Sequence, residues 1–404
     1  MEEIKQSMFF YRLAQLACRT VGTFVFRPKI LRNEIKGKKG PFVIIANHQA
    51  AYDFVNLIGA TNEPISFVIS QSFYSTLPVK GVLDKIGVIP KQQFQTTLRD
   101  INRMKATIEG GKILAIYPAG LMCEDGVSTP IPAATYKFLK WMKADVYVAR
   151  TTGTYFAMPK WAKGKRPGRT YMDIYKLFSK EELETADEET VKRIAEEALS
   201  FNAYEEQEKL LVKYRHGDCV EGLETVLYAC PHCHAEHTVQ AKGNTLRCTA
   251  CGYAEKADEY GFLHRVSEVG EEIRYPSDWA KQIYTCLRAR IEEGKDLSLQ
   301  AETAIHMIDH KKKKFLPAGE GRVSLTEEGF TLTGTIHGEE TSFCIPITHF
   351  ASLPFSPGRH FEIQHGEQIY RCVLRDGRPV MKFINAVKAY YERSLAKKAE
   401  RIRP

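Results

Sequence analysis

The 404-residue sequence contains no uninterrupted apolar run of roughly 18 residues, the length at which a membrane-spanning helix is predicted. The stretch from Ser7 to Phe26 comes closest, but Arg12 and Arg19 interrupt it. A basic start, a clean apolar core and a small-residue cleavage site are also lacking, so no secretory signal peptide is expected. We therefore predict neither a membrane-spanning nor a secreted protein.

The cysteines lack the arrangement of a secreted disulfide framework. Four of the ten lie within 22 residues, and the other six are scattered along the chain. A reducing cytosol is therefore the simpler expectation. The composition is 44% hydrophobic and 26% charged, which excludes the disordered and collagen-like classes. The length allows two or three globular domains with cores of their own.

The net charge of +8 suits contact with anionic lipid or with nucleic acid and does not choose between them. The first 40 residues hold nine Lys and Arg against three Glu. A helix of Met, Phe, Tyr and Leu with basic flanks can lie in a membrane surface. We therefore predict an amino-terminal interfacial helix that associates peripherally with anionic lipid. The alternative is a helix that packs on its own domain.

Residues 41–150 alternate between short apolar runs and helical patterns. Such alternation predicts an α/β fold, with a largely parallel sheet whose faces are covered by helices. Gly110 and Gly111 end the longer helix before the next strand. The predicted strands are Phe42–Ala46, Ile65–Ser70, Ile113–Tyr117 and Val146–Arg150, and the predicted helices are Asp53–Gly59 and Gln95–Glu109.

Changes in composition divide the chain into three predicted domains: residues 1–215, residues 225–260 and residues 265–404. In the first, the Glu/Lys-rich residues 181–213 are typical of a solvated helix that closes the domain. The second is a small module containing four cysteines. The third is predicted to be a small α+β domain.

The pattern in the third domain predicts a helix at Ser277–Glu293, whose start carries good capping residues in Ser277 and Asp278. Lys311–Lys314 and Pro317–Gly319 have the composition of a linker. Short strands and a last helix then suggest a small barrel closed by a helix, which resembles pleckstrin-homology or GRAM domains in topology alone. The predicted elements are Arg322–Leu325, Gly329–Leu332, Thr341–Ile345, His360–Gln364, Gln368–Leu374 and a helix from about Pro379 to Lys398.

The apolar strand Phe42–Ala46 ends abruptly in Asn47 and His48, and Asp53 follows after four intervening residues. Histidine, with an ordinary pKa of roughly 6.5, suits proton abstraction at neutral pH, and a nearby carboxylate can hold its tautomer. Open α/β sheets bind ligands at the carboxyl ends of their strands. Residues five apart on a helix point about 140° apart, so His48 and Asp53 can meet only if the chain turns between them. A surface histidine is the alternative interpretation.

The order of segments around this pair resembles the glycerolipid acyltransferase family, whose best-known members are 1-acyl-sn-glycerol-3-phosphate acyltransferases. The resemblance covers about residues 5–210. Four segments carry it: Asn47, His48 and Asp53; Val79–Gln93; Tyr117, Pro118, Ala119 and Gly120; and Val146–Gly153.

The resemblance implies that His48, oriented by Asp53, takes a proton from a hydroxyl that then attacks a thioester. Backbone N–H groups near the start of the following helix are expected to stabilise the developing negative charge. No nucleophilic Ser or Cys is required, and a packed thiol is the favoured interpretation of Cys123. The implied substrate-binding residues are Asn47, Lys91, Gln93, Tyr117, Pro118, Ala119 and Gly120.

The implied reaction moves a fatty acyl group from acyl-CoA or acyl carrier protein to the hydroxyl of a lysophospholipid. The simplest acceptor is 1-acylglycerol-3-phosphate, which gives phosphatidate in phospholipid biosynthesis. The enzyme would be an O-acyltransferase of the 1-acylglycerol-3-phosphate class. We expect it to be cytoplasmic and peripherally associated with the membrane.

Three positions depart from the family's usual pattern. Its second segment usually ends in Arg, where this chain has Gln93, and its third reads Phe-Pro-Glu-Gly-Thr-Arg, where Ala119 and Met122 replace Glu and Arg. Arg is well suited to bidentate phosphate binding. Because both of these Arg residues are replaced, the site has fewer groups that could bind a phosphate than is usual in the family. Either Lys91 supplies a point charge instead, or the acceptor is not a lysophosphatidate.

The four clustered cysteines predict a structural zinc site. Cys230 and Cys233 are separated by 14 residues from Cys248 and Cys251, the spacing of a zinc ribbon. Four thiolates close a tetrahedral site and leave no open position for catalysis. A redox role is a weak alternative. We favour a structural staple or a protein contact over nucleic-acid binding, because few basic residues lie within the ribbon.

Two further hypotheses remain beside the lysophospholipid acyltransferase. One keeps the chemistry and changes the acceptor, for example to an amino-acid or glycan lipid. The other treats the fold as a catalytically decayed scaffold whose ribbon and carboxyl-terminal region bind a protein or nucleic acid. The substitutions at Gln93, Ala119 and Met122 motivate both.

Overall fold

The computed structural model describes residues 6–77, 79–93, 97–214, 219–295, 297, 299–309 and 311–402. The chain divides into two structural units. The first comprises residues 1–160, 164–216 and 259–261, and the second comprises residues 161–163, 217–258 and 262–404. The second unit thus contains both the four-cysteine module and the carboxyl-terminal region, which the sequence predicts as separate domains.

A seven-stranded mixed sheet organises the first unit. Its strands are β1 (Pro28–Asn33), β2 (Phe42–Ala46), β3 (Ile65–Ser70), β4 (Ile89–Lys91), β5 (Ile113–Ile116), β6 (Asp145–Thr152) and β7 (Thr170–Phe178). They lie in the order β1-β7-β6-β2-β5-β3-β4, and the five strands from β6 to β4 are mutually parallel. β7 runs antiparallel to β6. The predicted α/β fold is confirmed.

Helices cover this sheet and begin near the positions that the sequence predicts. The predicted helix at 95–109 starts at Leu98, and residues 95 and 96 lie outside the described part of the chain. The helices of this unit are α1 (Met8–Val21), α2 (Asp53–Ile58), α3 (Gln71–Thr76), α4 (Lys80–Lys85), α5 (Leu98–Glu109), α6 (Ala134–Met142), α7 (Thr154–Ala157), α8 (Lys180–Thr185), α9 (Glu188–Leu199) and α10 (Ala203–Leu210), with a π-helical turn at Gly22–Phe26.

Strand β2 lies at the centre of the sheet and contributes to a core on each face. Val43 and Ile45 pack in the core that includes α5, α6 and α9, whereas Phe42 and Ile44 pack in the core that includes α1 and α2. All five residues of β2 are buried, as expected for a parallel strand covered on both faces. The residues that follow β2 are therefore held by a rigid element.

Helix α1 packs on its own unit with one face and leaves the other in solvent. Tyr11 is fully buried, and Gln15 donates hydrogen bonds to the carbonyl oxygens of Ile58 and Thr61 at 2.9 and 2.8 Å. Among the helices that the structure describes, none combines the length and apolar content needed to cross a bilayer. The inner face of α1 therefore packs on its own domain, which is the alternative interpretation, and the predicted association with a membrane surface stays a prediction.

The segment predicted as one solvated helix at 181–213 instead forms α8, α9 and α10, and this prediction was wrong. Asp187 accepts a hydrogen bond from the Thr190 amide, and Asn202 accepts one from the Tyr204 amide, so each capping residue starts a new helix. α9 also buries Val191 in the core beneath β6. Short polar side chains that cap helices thus interrupt a segment whose composition is helical throughout.

The four-cysteine module forms a small antiparallel sheet in the second unit. Its strands are β8 (Val239–Lys242), β9 (Thr245–Cys248), β10 (Ala254–Ala257) and β11 (Leu263–Arg265), and a 3-10 turn at Leu223–Thr225 precedes them. They lie in the order β11-β10-β9-β8.

The rest of the second unit is mostly β, as predicted. The elements are α11 (Pro276–Glu292), β12 (Leu299–Asp309), β13 (Lys314–Leu325), β14 (Gly329–Ile336), β15 (Glu339–Pro346), a 3-10 turn (Ile347–His349), β16 (Phe355–Ser356), β17 (His360–His365), β18 (Gln368–Leu374) and α12 (Val380–Ile402). The strands form a seven-stranded antiparallel sheet in the order β15-β14-β13-β12-β18-β17-β16.

One local prediction in this region was wrong, and one predicted helix starts a residue earlier than expected. The supposed linker Pro317–Gly319 lies inside β13, where the register shifts so that Gly319 pairs with Ile305 and Pro317 pairs with His306. A β-bulge tolerates proline within a strand. The composition of this segment therefore indicated a linker although the segment is part of a strand. Helix α11 begins at Pro276, with Tyr275 rather than Ser277 as its N-cap, because proline is preorganised for the first helical position.

Candidate active site

The four segments that carry the family resemblance meet at one edge of the first sheet. His48 follows β2, Tyr117 follows β5, Gln93 follows β4 and Gly153 follows β6. These strands are parallel, so their carboxyl ends lie on the same side. Open α/β sheets place their ligands at this edge.

His48 and Asp53 form a direct hydrogen-bonded pair. The Nδ1 atom of His48 lies 3.0 Å from Oδ2 of Asp53. The side chain of Asp53 is fully buried, whereas that of His48 retains 20% of its exposure. With Nδ1–H donating to the carboxylate, Nε2 is the ring nitrogen left to accept a proton.

The turn between these two residues directs backbone donors at the carboxylate. The amides of Gln49 and Ala50 donate to Oδ2 of Asp53 at 2.7 and 2.9 Å. Helix α2 begins at Asp53, where the helix dipole also favours a negative charge. The chain therefore turns as the predicted contact between His48 and Asp53 requires, and three donors hold one carboxylate oxygen.

Tyr117 packs directly against the ring of His48. The two ring centroids are 4.6 Å apart with an interplanar angle of 38°. Burial raises the pKa of the Tyr117 hydroxyl well above its usual value, and the nearby Asp53 carboxylate adds to that effect. Tyr117 therefore stays neutral and limits the positions that the imidazole ring can take.

The second and third segments contact each other through Gln93. Its side-chain amide donates to the carbonyl oxygen of Gly120 at 2.7 Å. Gly120 has a φ of +70°, a left-handed conformation that glycine adopts without a steric penalty. Pro118 and Ala119 lie between Tyr117 and Gly120 in this loop and are partly buried.

Like Gln93, two further predicted substrate-binding residues form hydrogen bonds with the protein itself. The Asn47 side chain is buried, and its amide exchanges two hydrogen bonds of 2.7 Å with the backbone of Thr151. It thereby ties the end of β2 to the end of β6. The Lys91 ammonium donates to the Gln92 carbonyl at 3.0 Å, and burial lowers the pKa of Lys91.

Cys123 lies behind the His48 turn and is fully buried. Its amide donates to the His48 carbonyl at 3.2 Å, and its Sγ lies 3.6 Å from the Gln49 carbonyl oxygen. Burial raises the pKa of the thiol well above its usual value. A buried neutral thiol is a poor nucleophile, which agrees with the interpretation of Cys123 as a packed residue.

The sequence gives no signal for a second layer of contacts around the site. The side chain of Gln49 contacts Glu206, which lies 157 residues later in α10 and also pairs with Arg150 at 2.8 Å. Gln49 lies between His48 and Asp53 in the sequence, and its ordinary amide side chain gives no indication of a functional role. Only the tertiary structure brings these three side chains together.

The four predicted metal ligands also converge, in the second unit. The Sγ atoms of Cys230, Cys233, Cys248 and Cys251 all lie within 4.8 Å of one another. Two of the Sγ–Sγ separations are 3.7 Å, between Cys230 and Cys251, and 3.8 Å, between Cys233 and Cys248.

These separations fit a tetrahedral zinc ion. Zn–S bonds of about 2.3 Å in a tetrahedron place the sulfur atoms about 3.8 Å apart. A disulfide needs about 2.05 Å between its sulfur atoms, so the cluster is compatible with a metal centre and not with closed disulfides. Four thiolates fill the coordination of zinc, which suits a structural role.

Comparison with known proteins adds a finding on the segment that carries the first site. Residues 27–158 match the family described as Acyltransferase, the family that the order of segments predicts. One solved structure found by comparison is that of the 1-acyl-sn-glycerophosphate (LPA) acyltransferase PlsC from Thermotoga maritima. The two sequences are 16% identical over an alignment that covers 50% of this chain and 79% of the PlsC chain. The TM-score is 0.42, which is too low to identify a reaction. The comparison with curated proteins gave no match.

Proposed function

We propose that this protein, whose residues 27–158 match the Acyltransferase family, transfers a fatty acyl group from acyl-CoA or acyl carrier protein to the hydroxyl of a lysophospholipid. The acceptor we favour is 1-acylglycerol-3-phosphate, and the product is then phosphatidate. The observation that carries the proposal is the bond of 3.0 Å between His48 Nδ1 and Asp53 Oδ2 at the ligand-binding edge of the sheet.

His48 acts as the general base through its Nε2 atom. As the acceptor hydroxyl gives its proton to Nε2, its oxygen attacks the thioester carbonyl carbon and forms a C–O bond. The tetrahedral intermediate then collapses, the C–S bond breaks, and the thiolate takes the proton back from the imidazolium. Asp53 stabilises that imidazolium between the two steps and keeps the ring oriented.

The developing oxyanion needs donors that are not already engaged. The amides of Gln49 and Ala50, at the expected helix start, both point at Asp53. These two groups therefore serve the carboxylate instead of the substrate.

The acceptor is the least constrained part of the proposal. The side chain of Gln93 donates a hydrogen bond to the Gly120 carbonyl and so supports the loop. As a neutral amide it supplies no positive charge for a phosphate. Lys91 lies at the end of β4 and is the cation that we assign to the acceptor phosphate. The second candidate function keeps the same base and takes a different lipid or an amino-lipid acceptor, because Ala119 and Met122 lack the family's polar groups.

We also propose that the first unit binds the surface of an anionic membrane from the cytoplasmic side. Phe9, Leu13 and Leu16 lie one helical turn apart along α1 and expose 72%, 53% and 64% of their surfaces. Apolar side chains on one helix face with basic neighbours suit the interface of a bilayer. Each Lys or Arg close to an anionic surface adds about 1 kcal/mol of attraction.

The four-cysteine cluster is proposed to hold a structural zinc ion, which would supply folding stability to the second unit. Its ligands are Cys230, Cys233, Cys248 and Cys251. The module is a staple or a contact for a protein partner, and nucleic acid is the less favoured partner. Its function is independent of the chemistry at His48.

Acyl transfer from labelled acyl-CoA and acyl carrier protein to a panel of lysolipids tests the reaction. The panel contains lysophosphatidate, other lysophospholipids and an aminoacyl lipid, presented with vesicles to zinc-loaded protein. Transfer to lysophosphatidate that His48→Ala abolishes is the expected result, and His349→Ala is the matched control on an exposed histidine of the second unit. Transfer only to another acceptor would favour the second candidate. Absence of any transfer would favour a non-catalytic scaffold.

A further inference from the structure

The side chain of Gln49, the residue after the proposed base, is fully buried and hydrogen bonded at both ends of its amide. Its Oε1 atom accepts from the Thr154 hydroxyl at 3.3 Å and from the Tyr155 amide at 3.2 Å. Its Nε2 atom donates to Oε2 of Glu206 at 3.4 Å. The amide therefore has one defined orientation, with oxygen toward α7 and nitrogen toward α10.

Glu206 is itself anchored by Arg150. The Arg150 guanidinium donates to Oε1 of Glu206 at 2.8 Å and to the Ala198 carbonyl at 3.0 Å. Burial raises the pKa of Glu206, and the pairing with Arg150 opposes that effect. The carboxylate thus uses one oxygen for Arg150 and the other for Gln49.

The backbone of Gln49 belongs to the turn that holds Asp53. Its amide donates to Asp53 Oδ2 at 2.7 Å, and its carbonyl oxygen lies 3.6 Å from Cys123 Sγ. A displaced Gln49 side chain would therefore shift the donor nearest to the Asp53 carboxylate. That shift would pass directly to the bond between Asp53 and His48.

We infer that Gln49 is a positioning residue for the proposed reaction, and that Glu206 and Arg150 position it in turn. Through this chain of contacts, α10 fixes the geometry of the turn from His48 to Asp53. Glu206 lies beyond residues 27–158, the range that matches the family, so a segment outside the matched range completes the site. This positioning role rests on the proposed function where acyl transfer is measured.

The alternative is that Gln49 only forms hydrogen bonds with buried polar groups and contributes to folding stability, with no effect on His48. The two explanations differ in what an exchange of charge between positions 49 and 206 would do. In Gln49→Glu, two carboxyl groups face each other across the present contact, and their repulsion opposes ionisation of both. Assays at about pH 8, well above the ordinary carboxyl pKa, favour the doubly ionised, repelling form. Adding Glu206→Gln removes the repulsion and reverses the hydrogen bond, because the new amide can donate to the new carboxylate.

The experiment compares the wild type, Q49E, E206Q and the double variant Q49E/E206Q in the acyl-transfer assay with water-soluble short-chain substrates. We expect Q49E to lower kcat about 100-fold, the scale of a misplacement near 1 Å in an active site, with KM within about threefold. The double variant should recover most of that loss. The matched control is Q15E, since Gln15 is another buried glutamine that donates to two carbonyl oxygens, those of Ile58 at the end of α2 and of Thr61.

A readout that does not require turnover separates this inference from the proposed function. In 15N-histidine NMR spectra, with His48 assigned by its loss in H48A, the wild type and the double variant should show a proton fixed on Nδ1. Q49E should show averaging between the two tautomers. Unchanged His48 signals in Q49E, a failure of the double variant to restore them, or an equal kcat loss in Q15E would overturn the inference. If no variant transfers acyl groups while the His48 signals respond as expected, the reaction is wrong and the positioning role stands.

Discussion

Asp53 Oδ2 accepts three hydrogen bonds, from His48 Nδ1 and from the amides of Gln49 and Ala50, within 3.0 Å. The carboxylate and the imidazole are thus fixed by the same short turn, with α2 beginning at Asp53 itself. The imidazole ring of His48 has little freedom to rotate, because Tyr117 covers one side of it. The turn explains how two residues five positions apart in the sequence come into direct contact.

Replacing Asp53 with Asn should remove most of the activity and leave substrate binding intact. An amide at this position offers a donor to the ring, which favours the tautomer with the proton on Nε2, where no further proton can be taken. We expect kcat to fall about 10³- to 10⁴-fold with KM little changed, the scale known for the equivalent change in a serine protease. Asp173→Asn, on an exposed ion pair with Arg32, is the control and should retain activity. A decrease in kcat of less than tenfold in Asp53→Asn would contradict the proposed role of the carboxylate.

Much of this pair could be predicted from the sequence, because its signals are local. The apolar run of β2, the histidine at its end and the acid five residues later are adjacent in the chain. The contact between Gln49 and Glu206 could not be predicted, since 157 residues separate two ordinary polar side chains. The same limit applies to Pro317, whose place in β13 depends on a bulge that partner strands define.

Lys160 should make the stability of the first unit depend on pH above neutrality. Burial lowers the pKa of Lys160 from an ordinary 10.5 to about 8, although Glu124 and Cys123 oppose this shift. Between about pH 8 and pH 10.5 the unfolded chain therefore binds more protons than the folded one, so stability rises with pH in that window. Below about pH 8 the cost of charging this amine is fully present.

Thermal unfolding of the wild type and Lys160→Met across this range measures the effect. The variant should be the more stable protein near neutral pH, by at most about 3 kcal/mol, and the difference in midpoint should shrink as the pH rises from 8 to 10.5. Lys137→Met, on an exposed lysine paired with Glu188, should show no such trend. A midpoint difference that is constant with pH would exclude the buried amine as its source.

Removal of zinc should destabilise the second unit without abolishing acyl transfer. Structural zinc sites contribute their binding free energy to folding, about 10–16 kcal/mol in isolated zinc-finger peptides. We expect one zinc ion per chain by elemental analysis, and its loss in Cys251→Ser together with loss of near-UV circular dichroism. Cys286→Ser, which changes an exposed cysteine outside the cluster, should retain the metal. Zinc-dependent acyl transfer at unchanged folding would contradict a purely structural site.

The exposed face of α1 gives the sharpest test of membrane association, because the chain offers a matched control in the same unit. Leu13 and Leu98 are both exposed leucines, at 53% and 79%. Leu13 lies between Phe9 and Leu16 on the proposed lipid-binding face, whereas Leu98 begins α5. Inserting one leucine side chain into an apolar phase is worth about 1.5–3 kcal/mol, and a buried carboxylate in its place adds a further penalty.

Leu13→Glu should therefore weaken binding to vesicles that contain anionic lipid by at least about tenfold, while Leu98→Glu should leave it unchanged. Sedimentation with vesicles of increasing anionic lipid content measures both, and activity on a short-chain soluble acceptor should be retained in both variants. Added salt should weaken the wild type as well, since the basic residues near α1 act through a screened potential. Equal binding by the two variants would place the lipid contact elsewhere. If Leu13→Glu lost activity on the soluble acceptor, its effect would instead reflect the packing of α1 through Tyr11 and Gln15.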